Sequence, residues 1–504
     1  MMEKKEPWDD FYPVSENTVP TIPFPAGKRE LVFGILLLIS AFGLCNFTIY
    51  GGFNMGFALG AIACSLCSFG YLLNAGRKVT PYSGGLLLLS VIIAAGFARS
   101  DDGFVKFVMV CFLLVSVNLA LCLQAGQNLR PTGSVRSLLD APRGLFTFGI
   151  GNLFPALRGI GDSFRNGGNA VKKGGAFLLG LCLCIPVLAI LIPLLISADA
   201  AFDGLMGLLP DFEPEELITT VIFGSCLWCL LYSRGAALRH KAKDRPKEAA
   251  AKGISPITVN TVLWAVCLLY VVYLLSQLAY LFGGFAGILP EGYSTAQYAR
   301  RGFFEMACLC GVNLTVTVLS LGLIKMEGSA PLMSRLLCLF ICLVNLFLVA
   351  ASGAKMVFYI GTYGLTRLRV LTMIIMLFMA VTTVILALWL FLPKLPYMRV
   401  VLLAALLMGA VTLWADVDTC VARYNVNAYL SGTLETVDIE HLKGLGNGAL
   451  PHIRRLAEEA PDVVVSGRAK SYLTKITKNG PQDFREWNYV NYKAPEYRWV
   501  LNEK

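Results

Sequence analysis

From residue 31 onward the chain repeats one pattern: apolar runs of 16 to 25 residues, almost free of charge, separated by segments in which Lys, Arg, Asp and Glu collect. Runs of that length match the hydrocarbon thickness of a bilayer at a rise of about 1.5 Å per helical residue, so each reads as a transmembrane helix. The pattern predicts eleven spans, at 31–50, 53–74, 83–98, 104–123, 176–197, 217–233, 257–281, 303–324, 336–354, 370–392 and 400–415. The third and last are short enough to be tilted, buried or re-entrant, which leaves the count uncertain by one. The expected fold is therefore all-α: a polytopic helix bundle of about 11 spans followed by a small extracytoplasmic helical tail.

Composition agrees with this picture. The 504 residues are 56% hydrophobic and only 15% charged, which excludes a soluble enzyme, a nucleic-acid-binding module or a disordered chain as the main identity. The formal net charge of +10 lies beside the apolar runs rather than in one patch, so it reads as orientation and not as a nucleic-acid surface. With the N-terminus inside, cytoplasmic segments hold 24 basic residues and the outer loops 6. The contrast is sharpest between residues 234–252, with seven basic residues, and residues 199–216, with six acidic and none basic. An odd span count then places the C-terminus outside.

The expected organisation is a flexible, proline-rich cytoplasmic tail at 1–30, four spans at 31–123, a basic cytoplasmic loop at 124–175, seven spans at 176–415 and a helical tail at 416–504. The first apolar run is too long for a signal-peptide core and has no small-residue cleavage site behind it, so it is expected to remain as an anchor. Within the 124–175 loop, Leu153, Leu157, Ile160 and Phe164 recur at helical spacing, as in a helix lying along the inner leaflet. Gly149, Gly151, Gly159 and Gly161 favour an ordered loop instead. In the tail, Asp438 is placed to cap a short helix and Pro451 to open another.

Five segments resemble a known family: ISADAAF (196–202), YARRGFFE (298–305), YIGTYGLTRLR (359–369), DVDTCVARYNVNAYLSG (416–432) and FREWNYVNYKA (484–494). From about Gly175 onward the chain is similar to the bacterial membrane proteins grouped as domain of unknown function 4173 and its relative 4153. The resemblance implies a multi-pass protein of the bacterial inner membrane with an extracytoplasmic helical tail, and no known reaction. At Lys355 the sequence departs from the family pattern, where an arginine is expected.

Chemistry concentrates at the outer ends of spans. Tyr298, Arg301 and Glu305 share one helical face, with Arg301 and Glu305 at a pairing interval and Arg300 alongside. Lys355, Tyr359, Tyr363 and Arg367 recur every four residues, with Arg369 beyond, and form one stripe if the segment is helical through Gly361 and Gly364. Guanidinium forks beside phenols suit an anionic or sugar-containing ligand; an interfacial aromatic belt with basic anchors is the competing use. Asp199, Asp416 and Asp418 are the expected charge partners of these arginines. Asn118, Gln277, Asn313 and Asn345, inside spans, are expected to bond between helices.

No phosphate loop, dinucleotide fingerprint, zinc-protease or nucleophile-elbow motif occurs, and the three histidines are scattered, so no catalytic residue, metal or cofactor is expected. The fifteen cysteines follow the apolar runs, as small packing residues do. The expected partners are the lipid bilayer and an envelope ligand or membrane protein. Two classes of function fit best, a non-enzymatic envelope sensor, scaffold or assembly factor, and a secondary transporter or channel; a membrane-embedded transferase is the third. The topology is checked by cysteines introduced at Asp211, Glu248 and Glu503 in a cysteine-depleted background: an impermeant thiol reagent should label the first and third in intact cells. Labelling of the second alone inverts the topology.

Overall fold

The computed structural model describes residues 28–127, 138, 140–154, a few positions between 187 and 198, 214–239, 254–285, 303–324, 331–392, 394–476, 481 and 483–499. Among the described residues the fold is all-α; the sole β feature is a single bridge between Ile254 and Ile324. In chain order the helices up to Ala415 are α1 (Lys28–Gly51), α2 (Met55–Asn74), α3 (Pro81–Gly96), α4 (Gly103–Ala125), α5 (Asp140–Phe146), α6 (Pro214–Arg239), α7 (Pro256–Phe285), α8 (Phe303–Leu323), α9 (Leu332–Tyr363), α10 (Arg367–Phe391) and α11 (Tyr397–Ala415). After them come α12 (Val417–Leu430), α13 (Ile439–Lys443), α14 (Leu450–Glu459), α15 (Val463–Leu473) and α16 (Tyr489–Lys493).

Eight of these helices are long and apolar enough to cross a membrane, while the apolar parts of α3 and α8 are shorter. Their surfaces fit that environment. On α7 the side chains of Val262, Leu268, Leu269, Val272 and Leu275 are all exposed, an apolar surface that water would penalise and lipid does not. The chain is a multi-pass membrane protein. The expected span at 176–197, the stripe from Leu157 to Phe164 and the side chain of Gln277 lie outside the described residues.

By their contacts the residues fall into two units, one drawn from 1–87, 114–129 and 138–244, the other from 88–113, 130–137 and 245–504. The first is built on α1, α2, α6 and the C-terminal part of α4. Phe33, Leu37, Leu72, Leu121, Tyr232 and Leu238 form its core, and the Phe33 ring stacks on Tyr71 with centroids 3.9 Å apart. Glycines let the helices approach. A Cβ on Gly60 of α2 would lie 2.7 Å from the Leu44 Cα of α1, which is the small-residue contact by which helices associate in lipid. Arg234 of α6 is buried in this unit, donating 3.0 Å to Asn118 Oδ1 and 3.3 Å to Ser68 Oγ, both neutral acceptors.

In the second unit α9 packs against α7, α8 and α10. A chain of hydrogen bonds threads these helices: Tyr270 to Asn313 (2.5 Å), Asn313 to Asn345 (3.3 Å), Asn345 to Thr383 (2.8 Å) and Thr383 to the Met379 carbonyl (2.7 Å). The asparagines are spent on helix association, as polar side chains in apolar surroundings must be. In the first unit, Gly60→Val should cost about 1–3 kcal/mol, because the clash is with backbone and the helices must part. Its unfolding midpoint in detergent, compared with that of Gly60→Ala, checks this; equal midpoints for both variants and the parent chain would refute the close contact.

Candidate functional site

The second unit carries a buried charge cluster assembled from three stretches of sequence. The loop between α3 and α4 supplies Ser100, Asp101 and Asp102; the α9–α10 turn supplies Arg367; the start of α12 supplies Asp416, Asp418 and Thr419. Each is held there by local structure.

Asp102 opens α4. Its Oδ1 accepts from the amides of Phe104 (2.9 Å) and Val105 (3.1 Å), satisfying donors that a helix start leaves free. Lys106, one turn on, is buried within electrostatic range of Asp101, Asp102 and Asp416. The α9–α10 turn depends on Gly364. Its φ of +74° lies in the left-handed region, and a Cβ there would stand 2.7 Å from Asn425 Oδ1. Asn425 then clamps the next residue in both directions, accepting from the Leu365 amide (2.6 Å) and donating to the Leu365 carbonyl (2.8 Å). Thr366 caps α10 and Arg367 is its first residue.

Arg367 grips two carboxylates. It donates from Nε and Nη2 to Asp418 at 2.7 and 2.6 Å, a bidentate fork, and lies 3.3 Å from Asp102 Oδ2. The Asp102 and Asp418 side chains keep 0% and 5% of their exposure and Arg367 keeps 38%, so the acids are sealed and the base reaches solvent. Asp416 sits at the kink between α11 and α12, where it alone among described non-glycine residues has a positive φ, 51°. Its Oδ1 accepts from Ser100 (3.3 Å) and its Oδ2 from Thr419 (2.5 Å), and Thr419 also donates to the Gly448 carbonyl (3.1 Å). Burial, with Asp102 and Asp416 nearby, holds the Asp418 carboxyl up at about 6 against the pull of Arg367; burial raises Asp416 as well.

The tryptophan-containing segment closes the cluster. The Tyr489 amide donates to the Ala98 carbonyl at 2.8 Å, Arg99 lies 4.4 Å over the Tyr489 ring, and Asn488 and Asn491 reach Asp101 at 3.4 and 3.5 Å.

The residues singled out from sequence divide accordingly. Asp418 is brought to Arg367, and Asp416 to Ser100 and Thr419. Arg369 lies 4.2 Å over the Tyr359 ring and donates to the carbonyls of Tyr363 (3.2 Å) and Gly364. Tyr359 and Tyr363 sit one turn apart with ring centroids 5.0 Å apart. The continuous stripe from Lys355 to Arg367 is broken: α9 ends at Tyr363, and Gly364 puts Arg367 on a new helix. Asp199, Tyr298, Arg300 and Arg301 lie outside the described residues, as does the side chain of Glu305. Sequence reasoning missed Asp102, Lys106 and Arg234. The signal for Lys106 was a charge within an apolar run; for Asp102 it was an acid at a span start, which capping alone already explains.

Removing Arg367 strands two buried acids. Arg367→Ala should cost about 2–3 kcal/mol, below the about 3–5 of a fully sealed pair because solvent screens the exposed part of the guanidinium. Asp418→Ala should cost less, since Asp102 still holds the base. The pH dependence has a fixed sign. With its folded pKa raised above the unfolded value, Asp418 takes up protons in the folded chain first, so its contribution to stability is fully present below about pH 4 and is lost as pH rises through about 6. Thermal midpoints in detergent across pH 4–8 check this, and Asp418→Asn should flatten the slope; an unchanged slope assigns it to other groups.

The family profile described as Domain of unknown function (DUF4153) matches residues 84–456. No curated protein and no solved structure matches the chain. Of the two related families the sequence resembles, 4153 is the one shown and 4173 is not. The match also begins well before Gly175, so the landmark segments place the start of the resemblance too late. It takes in the α3–α4 loop, Arg367 and the start of α12, and so the whole Asp102–Arg367–Asp418 cluster. Since the profile spans most of its length, the chain belongs to the DUF4153 family.

Proposed function

We propose that this chain is a non-enzymatic scaffold or sensor of the bacterial inner membrane, with about eleven spans, a cytoplasmic N-terminus and an outward-facing helical segment that binds an anionic or sugar-containing envelope ligand or a membrane protein partner. One observation carries the reading. The strongest polar groups of the second unit are spent on one another: Arg367 on Asp418 and Asp102, and the Tyr270–Asn313–Asn345–Thr383 chain on itself. A transport path needs polar groups left for a solute, whereas a platform needs its helices locked. In this reading Tyr298, Arg300, Arg301, Glu305, Tyr359 and Tyr363 line the outer ligand surface, Arg367 with Asp418 forms the lock beneath it, and Arg369 holds the turn. Asp199 and Asp416 complete the charge balance.

A transporter reading has one observation in its favour, the buried Arg234. Its described partners are neutral and its Nε is unsatisfied, and an intramembrane cation of this kind often marks an ion path. Proteoliposomes separate the two. Loaded with chloride- or pH-sensitive dye, vesicles holding the full chain should discharge an imposed gradient no faster than empty ones. Discharge that Arg234→Met abolishes, while the protein remains folded, would overturn the scaffold reading in favour of transport.

A further inference from the structure

The face of α12 opposite the charge cluster is open. Arg423, Tyr424, Asn427, Ala428 and Ser431 recur along it at helical intervals and, with Thr433, line a groove of about 510 Å³. The residues between them, Val421, Ala422, Asn425 and Val426, are buried. The helix is thus anchored on one side and exposed on the other.

The groove holds an unspent cation. Arg423 has no ion pair or hydrogen bond with any described residue. Arg455 of α14 reaches the same wall, donating 2.5 Å to Asn427 Oδ1, and shares its charge with Glu459 at 2.9 Å. His452, half-buried on the same helix, is pressed below its ordinary pKa by burial and then by Arg423 and Arg455, so at neutral pH it adds no charge of its own. Arg423 therefore lines this space without a described partner, and Arg455 stands behind its Asn427 wall. Hydroxyls are at hand: Ser431 and Thr433 lie 3.0 Å apart at the groove's end. A guanidinium fork with hydroxyls beside it is suited to phosphate oxygens.

Position narrows the source of the phosphate. The last span ends at Ala415, and Arg423 lies eight residues on, at most about 12 Å along a helix axis. Helical side chains lean toward the helix N-terminus, which here is the span, and a long arginine stem adds further reach toward the headgroup layer. Tyr424 and Ala428 give the groove an apolar wall, which a free anion does not need and a glycerolipid uses.

We propose that the α12 groove binds the phosphodiester headgroup of an anionic phospholipid, with Arg423 as its principal ligand and Arg455, Ser431 and Thr433 as supporting contacts. The inference goes beyond the scaffold reading by adding a lipid site on α12, apart from the proposed outer ligand surface, and it rests on that reading only in taking the second unit as a fixed membrane platform. The full chain in phosphatidylcholine nanodiscs doped with phosphatidylglycerol, released and weighed by native mass spectrometry, provides the test. The parent chain should retain one phosphatidylglycerol with at least tenfold preference over phosphatidylcholine. Arg423→Gln should lose that preference, and so should Ser431→Trp, which fills the groove but keeps the charge. Arg454→Gln, on α14 but paired with Glu458, should keep it. Unfolding midpoints identify variants that fail to fold, and either groove variant alone is sufficient.

Equal retention of the two lipids by the parent chain, or undiminished preference in a folded Arg423→Gln, overturns the proposal. Retention of inorganic phosphate that displaces the lipid at millimolar concentration also overturns it, in favour of a soluble anion. Gradient discharge in the vesicle assay would sink the scaffold reading without altering lipid retention, so the two failures are distinguishable.

Discussion

A carboxylate withdrawn from water at the edge of a membrane must find a positive partner or give up its charge, and the second unit is organised around that requirement. Asp102 and Asp418 are both sealed, and one guanidinium serves them. Because the fork of Arg367 is planar and rigid, it dictates where the two acids can stand. The surrounding oddities of backbone follow. Gly364 allows a turn tight enough to present Arg367 as the first residue of α10, Asn425 fixes that turn from α12, and Asp416 takes up a left-handed conformation that starts α12 in a new direction. A cluster of this sort gains little net stability over an apolar core of the same shape, but it penalises every arrangement that leaves one member unpaired.

The first unit meets the same problem differently. Arg234 is also buried, yet Asn118 and Ser68 offer it dipoles rather than an opposite charge. Its core instead depends on close approach, with Gly60 against Leu44 and a Cβ on Gly235 only 2.7 Å from the Phe33 ring. The first unit has an ion pair too, Arg239 at the end of α6 with the buried Glu30 at the start of α1, but between these ends its helices are registered by shape.

The transmembrane helices were legible because a bilayer imposes a run length that few other constraints imitate: eight of the expected runs coincide with described helices long and apolar enough to cross, and two more with shorter apolar helices. The charges at the span ends were legible as well, since Arg367 and Asp418 stand out against apolar surroundings. Which charge meets which was only partly so: the fork joins residues 51 positions apart, and Asp102 joins from further still. The capping role of Asp102 concealed its second role. Arg234 was obscured differently. Counted with the basic loop it opens, it reads as a topology signal, but Gly235, Ala236, Ala237 and Leu238 continue the helix for another turn and carry it inside. Arg423 stands within the quoted DVDTCVARYNVNAYLSG segment and passes as one more surface charge, because only the structure shows that no described residue answers it.

The contact between Asn488 and Asp101 spans 387 residues of chain. At ribosomal speeds of about 5–20 residues per second, the α3–α4 loop leaves the ribosome some 20–80 s before Asn488 and Tyr489 are made. Throughout that interval the loop must wait beside the bilayer with its closing residues missing, long after its own helices have had time to form. The final closure of the second unit is therefore an act of late synthesis. Chains that end after Asp101 but before Asn488 therefore carry the acid without the two amides that reach it from the C-terminal segment.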